Sequence, residues 1–176
     1  MISLNALNTA AGFDDPLQML RACHGKILQQ CATLTKLAAH IEGKGCDTQA
    51  QQAASGILRY FDTAGKFHHQ DEEENLFPAL LDCPDTDTGL LTRLLAEHEG
   101  MLSAWTALRP ALAQLAACHE VVLNSMLIED FIVRHTGHIA IENAQLLPMA
   151  ARLLSPQQIM SIGRQMSERR GAKYPD

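Results

Sequence analysis

Two stretches of this chain carry the same arrangement of metal-ligating side chains. His68 and Glu72 stand four residues apart in F-H-H-Q-D-E-E-E-N-L-F-P, and His138 and Glu142 stand four apart in H-T-G-H-I-A-I-E-N-A-Q-L-L-P. Setting Pro78 over Pro148 aligns the two pairs. A lone histidine precedes each pair on an earlier segment, His24 in the first half and His98 in the second. On a helix, a four-residue step stacks an imidazole and a carboxylate on one face, close enough to serve one pair of metal ions. Imidazole suits iron, copper, nickel and zinc, and a carboxylate can bridge two ions. Four histidines and two glutamates at one level therefore describe a two-metal site in which each ion takes two histidines and both share the glutamates. Such a site keeps coordination positions open for a bridging oxygen and an added ligand.

A single histidine on an apolar face is ordinarily a hydrogen-bonded core residue. Four of them on four segments, two followed by a glutamate one turn later, resist that explanation. Burying two carboxylates without a counter-charge costs several kcal/mol each, and no Lys or Arg occupies these stripes, so a cation is the simplest partner. Other metal signatures are missing: there is no H-E-x-x-H, no cysteine cluster and no Glu-x-x-His.

The elements that must position these residues read as helices. The first begins after Asp14 and Asp15 with Pro16 at its first position, carries Leu17, Leu20, His24, Ile27, Cys31, Leu34, Ala38 and Ile41 on one face, and ends at Gly43 and Gly45. A second, roughly 47–81, presents Ile57, Phe61, His68, Glu72, Leu76 and Leu80. A third, roughly 88–117, presents Leu91, Leu95, His98, Leu102, Trp105, Leu108 and Leu112, with Pro110 expected to kink or break it late. A fourth, roughly 120–154, presents Phe131, His135, His138, Glu142, Leu146, Met149 and Leu153, and Ser155-Pro156 opens a short amphipathic helix through about Glu168. No strand alternation is present. The fold expected is all-α, an antiparallel up-down-up-down four-helix bundle (about 15–154) with a short C-terminal helix (about 156–168), in one domain over 1–176.

Length and composition agree with one core: 176 residues, 47% of them hydrophobic. A net charge of -6 and the lack of a basic cluster argue against a nucleic-acid partner. The locally basic tail, Arg164, Arg169, Arg170 and Lys173, reads as a solvated turn. Met1 to Gly12 shows no secretory leader and no run of 18 apolar residues occurs, so no membrane partner is expected. The five cysteines, Cys23, Cys31, Cys46, Cys83 and Cys118, are odd in number and form no C-x-x-C, which fits reduced thiols and a cytoplasmic location; a Cys46–Cys83 disulfide stays open.

The two histidine–glutamate motifs with the prolines that close them, together with His24 and His98, resemble the bacterial hemerythrin-like, HHE cation-binding family over nearly the whole chain. That resemblance implies a non-haem di-iron centre, two iron ions bridged by two carboxylates and an oxygen species, used for reversible oxygen binding, for sensing oxygen, iron or nitric oxide, or for repair of iron–sulfur centres. Carried over residue by residue, His24 and His68 serve one iron, His98 and His138 the other, and Glu72 and Glu142 bridge.

The chain departs from the oxygen carriers of this family, which place a second histidine one turn after the one in the third helix; Met101 and Leu102 fill that turn here. His135 either supplies the missing nitrogen or hydrogen-bonds beside the site. His69 and Glu73 repeat the four-residue spacing about 100° round the helix and are expected mostly on its surface or just outside the ligands. His40 and His119 are expected to be solvated, and Cys23 to be a packed thiol. The expected function is a metal-binding or sensing protein for oxygen, nitric oxide or redox state. The alternative is a di-iron enzyme that consumes peroxide or assists iron–sulfur repair, the latter disfavoured because only about twelve residues precede the first helix. A third reading has the centre as a vestige and the C-terminal helix as a partner surface. The sequence leaves the oligomeric state, a homodimer included, open.

Overall fold

The structure is a computed structural model that describes residues 12–119 and 121–175. The expected absence of a leader at Met1 to Gly12 falls almost wholly outside them, as does Glu120. Helix α1 spans Pro16–Lys44, with the Asp15 side chain accepting from the Gln18 amide and Gly45 ending it at φ 75. Gly43 lies inside the helix, so only Gly45 stops it: a positive φ is the conformation that glycine adopts without a Cβ clash.

Helix α2 runs over 48–81, α-helical at Thr48–Tyr60, Lys66–Asp71 and Phe77–Leu81 and widened into π turns at Phe61–Gly65 and Glu72–Leu76. Helix α3 is Thr88–Ala116, capped by Asp87, and it continues through Pro110. Pro110 does not break it. Its ring lies on the exposed side, where water reaches the carbonyl it leaves unpaired, and Leu112 and Leu115 beyond it are fully buried. Helix α4 covers 125–153, α-helical at Ser125–Ile141 and Leu147–Leu153 with a π turn at Glu142–Leu146 between them. It starts later than the apolar pattern implied, because Asn124 caps it and residues 121–124 are not helical. Helix α5, Pro156–Arg169, opens with a Ser155–Gln158 capping box. No strand occurs among the described residues, and no helix there is long and apolar enough to cross a membrane.

Helix α1 packs on α2 and α4, and α3 packs on the same two, so the four long helices form an antiparallel ring closed at one side by α5. Two apolar clusters fill the ring. One holds Ile27, Leu34, Ile57, Leu108, Leu112 and Phe131; the other holds Leu20, Leu76, Leu80, Leu94, Leu146 and Ile162. Between them, one turn after Leu20 and one turn before Ile27, lies a layer of buried histidine and carboxylate.

Two expected core residues of α3 point outward: Leu95 and Leu102 are exposed, and Leu94 and Met101 take the inner face. Both pairs flank His98 at helical spacing, so periodicity alone does not choose between them.

The basic tail is not a solvated turn. Arg169 and Arg170 at the end of α5 both pair with Asp71 of α2, which is fully buried, and Arg170 grips it through two nitrogens at 2.6 and 3.1 Å. Arg169 also reaches Asn75 at 2.8 Å and Glu74 at 2.7 Å. Arg164 lies over the Tyr174 ring, and Lys173 is exposed. No disulfide joins the described cysteines; the Cys46 and Cys83 thiols instead face backbone carbonyls of Leu115 and of Ala79 and Leu153.

Candidate metal centre

The polar layer takes one residue pair from each of two helices and one histidine from each of the others. His24 comes from α1, His68 and Glu72 from α2, His98 from α3, and His138 and Glu142 from α4; all six are buried. Their ligand-type atoms gather into two groups, His24, His68, Glu72 and Glu142, and Glu72, His98, His138 and Glu142. Both glutamates belong to both groups. Glu72 turns Oε1 towards His68 (3.4 Å) and His24 (3.9 Å) and Oε2 towards His98 (3.5 Å). Glu142 turns Oε2 towards His24 (3.1 Å) and Oε1 towards His138 (3.0 Å). Each carboxylate therefore spans the two histidine pairs, one oxygen to each side.

The local backbone explains why both glutamates sit alike. Phe77 donates its amide to the Glu72 carbonyl and Leu147 to that of Glu142, five residues back in each case, so a π turn starts at each glutamate. A proline follows each turn, Pro78 and Pro148, and lacks the amide that a regular helix would use there. The added residue of a π turn absorbs the defect, and such turns gather at functional sites. The internal repeat thus extends to the backbone.

Three of the four histidines are held from behind by a residue beside a ligand on the neighbouring helix. His24 Nδ1 donates to Asn143 Oδ1 (2.9 Å), His98 Nδ1 to Glu73 Oε1 (2.6 Å) and His138 Nδ1 to Glu97 Oε2 (2.9 Å). Each acceptor fixes the proton on Nδ1 and turns a bare Nε2 inward, the tautomer that a metal requires. Glu73, expected on the helix surface or just outside the ligands, takes the second of these places. Asn143 and Glu97 were not anticipated, although each directly follows or precedes a candidate ligand in sequence, about 100° round the helix and so towards the next one.

This arrangement is incomplete without a cation. His98 and His138 point Nε2 at Nε2 across 2.9 Å, two lone pairs face to face unless something positive lies between them. Among the described buried atoms, His24 Nε2, both His68 nitrogens and all four oxygens of Glu72 and Glu142 make no hydrogen bond. Buried polar atoms are otherwise almost always satisfied. Protons can stand in for the cation. Burial lowers His24, but the carboxylates of Glu142 and Glu72 that face it outweigh this and raise its pKa to about 10. His98, opposed by the same burial, is raised to about 9 by Glu72 and Glu73, and Glu142 raises His138. Burial keeps His68 below its ordinary value. Burial and mutual repulsion push Glu72 up, yet the surrounding histidines hold it below the usual carboxylate range, and Glu142 lies well below it.

His135 belongs to neither group. Its Nδ1 donates to the Phe131 carbonyl at 2.7 Å, and burial lowers its pKa to about 4. His69 is half-buried, stacked on His98 with ring centroids 4.2 Å apart. His40 is not simply solvated: its Nε2 lies 2.9 Å from Asp47 Oδ1, and it is half-buried, whereas His119 is exposed. Burial raises the thiol of Cys23, which is partly buried.

A family model, the hemerythrin HHE cation binding domain, matches residues 15–150. A protein of Haemophilus influenzae described as uncharacterized is 34% identical over 164 residues, 93% of this chain and 94% of that protein.

Proposed function

The chain belongs to the hemerythrin HHE cation-binding domain family, and from that premise we propose that it holds a non-haem di-iron centre that binds or senses oxygen, nitric oxide or redox state. His24 and His68 would hold one iron, His98 and His138 the other, with Glu72 and Glu142 between them. The observation that carries this reading is the set of buried, facing nitrogen and oxygen atoms without a hydrogen-bond partner, which metal ions between them would satisfy. Four imidazoles and two carboxylates, with no thiolate among them, suit iron, and two irons when bound supply exchangeable positions for small ligands and one-electron steps.

The protein's own contribution is orientation and insulation. Asn143, Glu73 and Glu97 set the tautomers of three histidines, and apolar clusters bound the layer above and below. With His135 outside both groups, six ligands would serve two ions and leave room for a small molecule on each. The test is a visible spectrum of protein purified without oxygen and then exposed in turn to oxygen, nitric oxide and peroxide. A spectral change with each is expected. Iron-loaded protein that responds to none of them would overturn the sensing reading.

A further inference from the structure

A cavity of about 870 Å³ opens between α2 and α3 and reaches the metal layer at His98. Its size is that of a pocket for a small organic molecule, whereas a diatomic gas needs space on the order of one water, about 30 Å³. Ile27, Phe61 and Met101, all buried, line its depth, and Trp105 and the outward-turned Leu102 flank its entrance. Gly65 adds no side chain to fill this layer; a Cβ there would sit 3.1 Å from the Phe61 ring.

One polar group is aimed into the deep end. His135 is 3% exposed and spends its Nδ1 proton on the Phe131 carbonyl, which leaves the lone pair of Nε2 facing the cavity with no protein partner. That nitrogen is open to the cavity, where a molecule that brings a donor can displace water from it. The walls around it are aromatic: Phe61 lies 5.4 Å from the His135 ring and 5.2 Å from Trp105, and His69 presents a flat ring that makes no hydrogen bond. Flat rings stack on such surfaces. The charges at the mouth exclude an anion, because Arg109 is bound to Asp62, which leaves Lys66 against Glu73 and Glu99.

We propose that this cavity is a second ligand site, for a neutral aromatic molecule with a hydroxyl, a phenol, whose ring lies among Phe61, Trp105 and His69 and whose hydroxyl donates to His135 Nε2. The probe is phenol, titrated calorimetrically into the full chain in both metal-free and iron-loaded forms, with toluene as a control of like shape that has no donor.

One phenol per chain is expected in both forms, with a shift in the emission of Trp105, the one tryptophan of the chain. His135→Phe is expected to weaken phenol about tenfold, the loss of one buried hydrogen bond, and to leave toluene unchanged. Leu102→Trp, at an exposed position that folding does not need, is expected to block both. Toluene binding as tightly as phenol, with His135→Phe without effect, would overturn the hydroxyl assignment. Absence of phenol binding in both forms would overturn the site. Neither result bears on the di-iron reading, which stands or falls on iron content measured in the same samples.

Discussion

Metal uptake by protein prepared without metal is expected to release about two protons per chain at pH 8. In the metal-free layer, His24 and His98 are protonated there, since their pKa values are raised to about 10 and about 9 by the carboxylates they face. A metal must take the same Nε2 lone pairs, so each of those protons leaves. The binding constant for the ion pair should then rise roughly 100-fold per pH unit between about pH 7 and 8.5, and flatten above about pH 10. The same shifts govern stability. Both values lie above the ordinary histidine value of 6.5 in the folded chain, so the stabilisation is fully present below about pH 6.5 and is lost as pH rises through about 9 to 10. Metal-free protein should therefore melt at progressively lower temperature from pH 7 to pH 10, and loaded protein should not. Anaerobic ferrous titration in two buffers of different ionisation enthalpy counts the protons. Release of less than one proton per chain at pH 8 would refute the idea that protonated histidines substitute for the metal.

Glu97→Ala and Asn143→Ala should each weaken metal binding about 10- to 100-fold while leaving the fold intact, as read by competition with a chelator. Asp71→Ala should cost about 3 kcal/mol in urea denaturation, because Arg170 loses both of its carboxylate contacts and Arg169 keeps only Asn75 and Glu74; a loss near zero would mean that α5 is held by its apolar face alone. Ferrous protein opened to air should oxidise within minutes and fail to recover when oxygen is pumped away, since a cavity adjoins His98; a change that persists for hours and reverses fully would mark a carrier.

The helices and the six inward residues were legible because each obeys a three- or four-residue step, and that step alone puts His68 over Glu72 and His138 over Glu142. What stayed hidden was set by relations between helices. Leu94 or Leu95, Met101 or Leu102, is a choice of 100° that only the neighbours make. The π turns at Glu72 and Glu142 have a signal, a proline six residues after each glutamate, but its effect on the backbone does not follow from periodicity. Asp71 lies one residue from a ligand and Arg169 and Arg170 lie near the C-terminus, so their pairing spans about a hundred residues and no local pattern announces it. The same holds for Glu97 and Asn143, each polar, beside a ligand and ordinary in sequence.

The most direct test is the iron content of protein purified without oxygen, counted per chain in the wild type beside Glu72→Ala and His40→Ala. Two irons per chain are expected in the wild type and in His40→Ala, which changes a histidine outside both groups, and a large loss in Glu72→Ala, which removes oxygens from both. One zinc per chain with no iron, or equal iron in all three proteins, would contradict the centre described here.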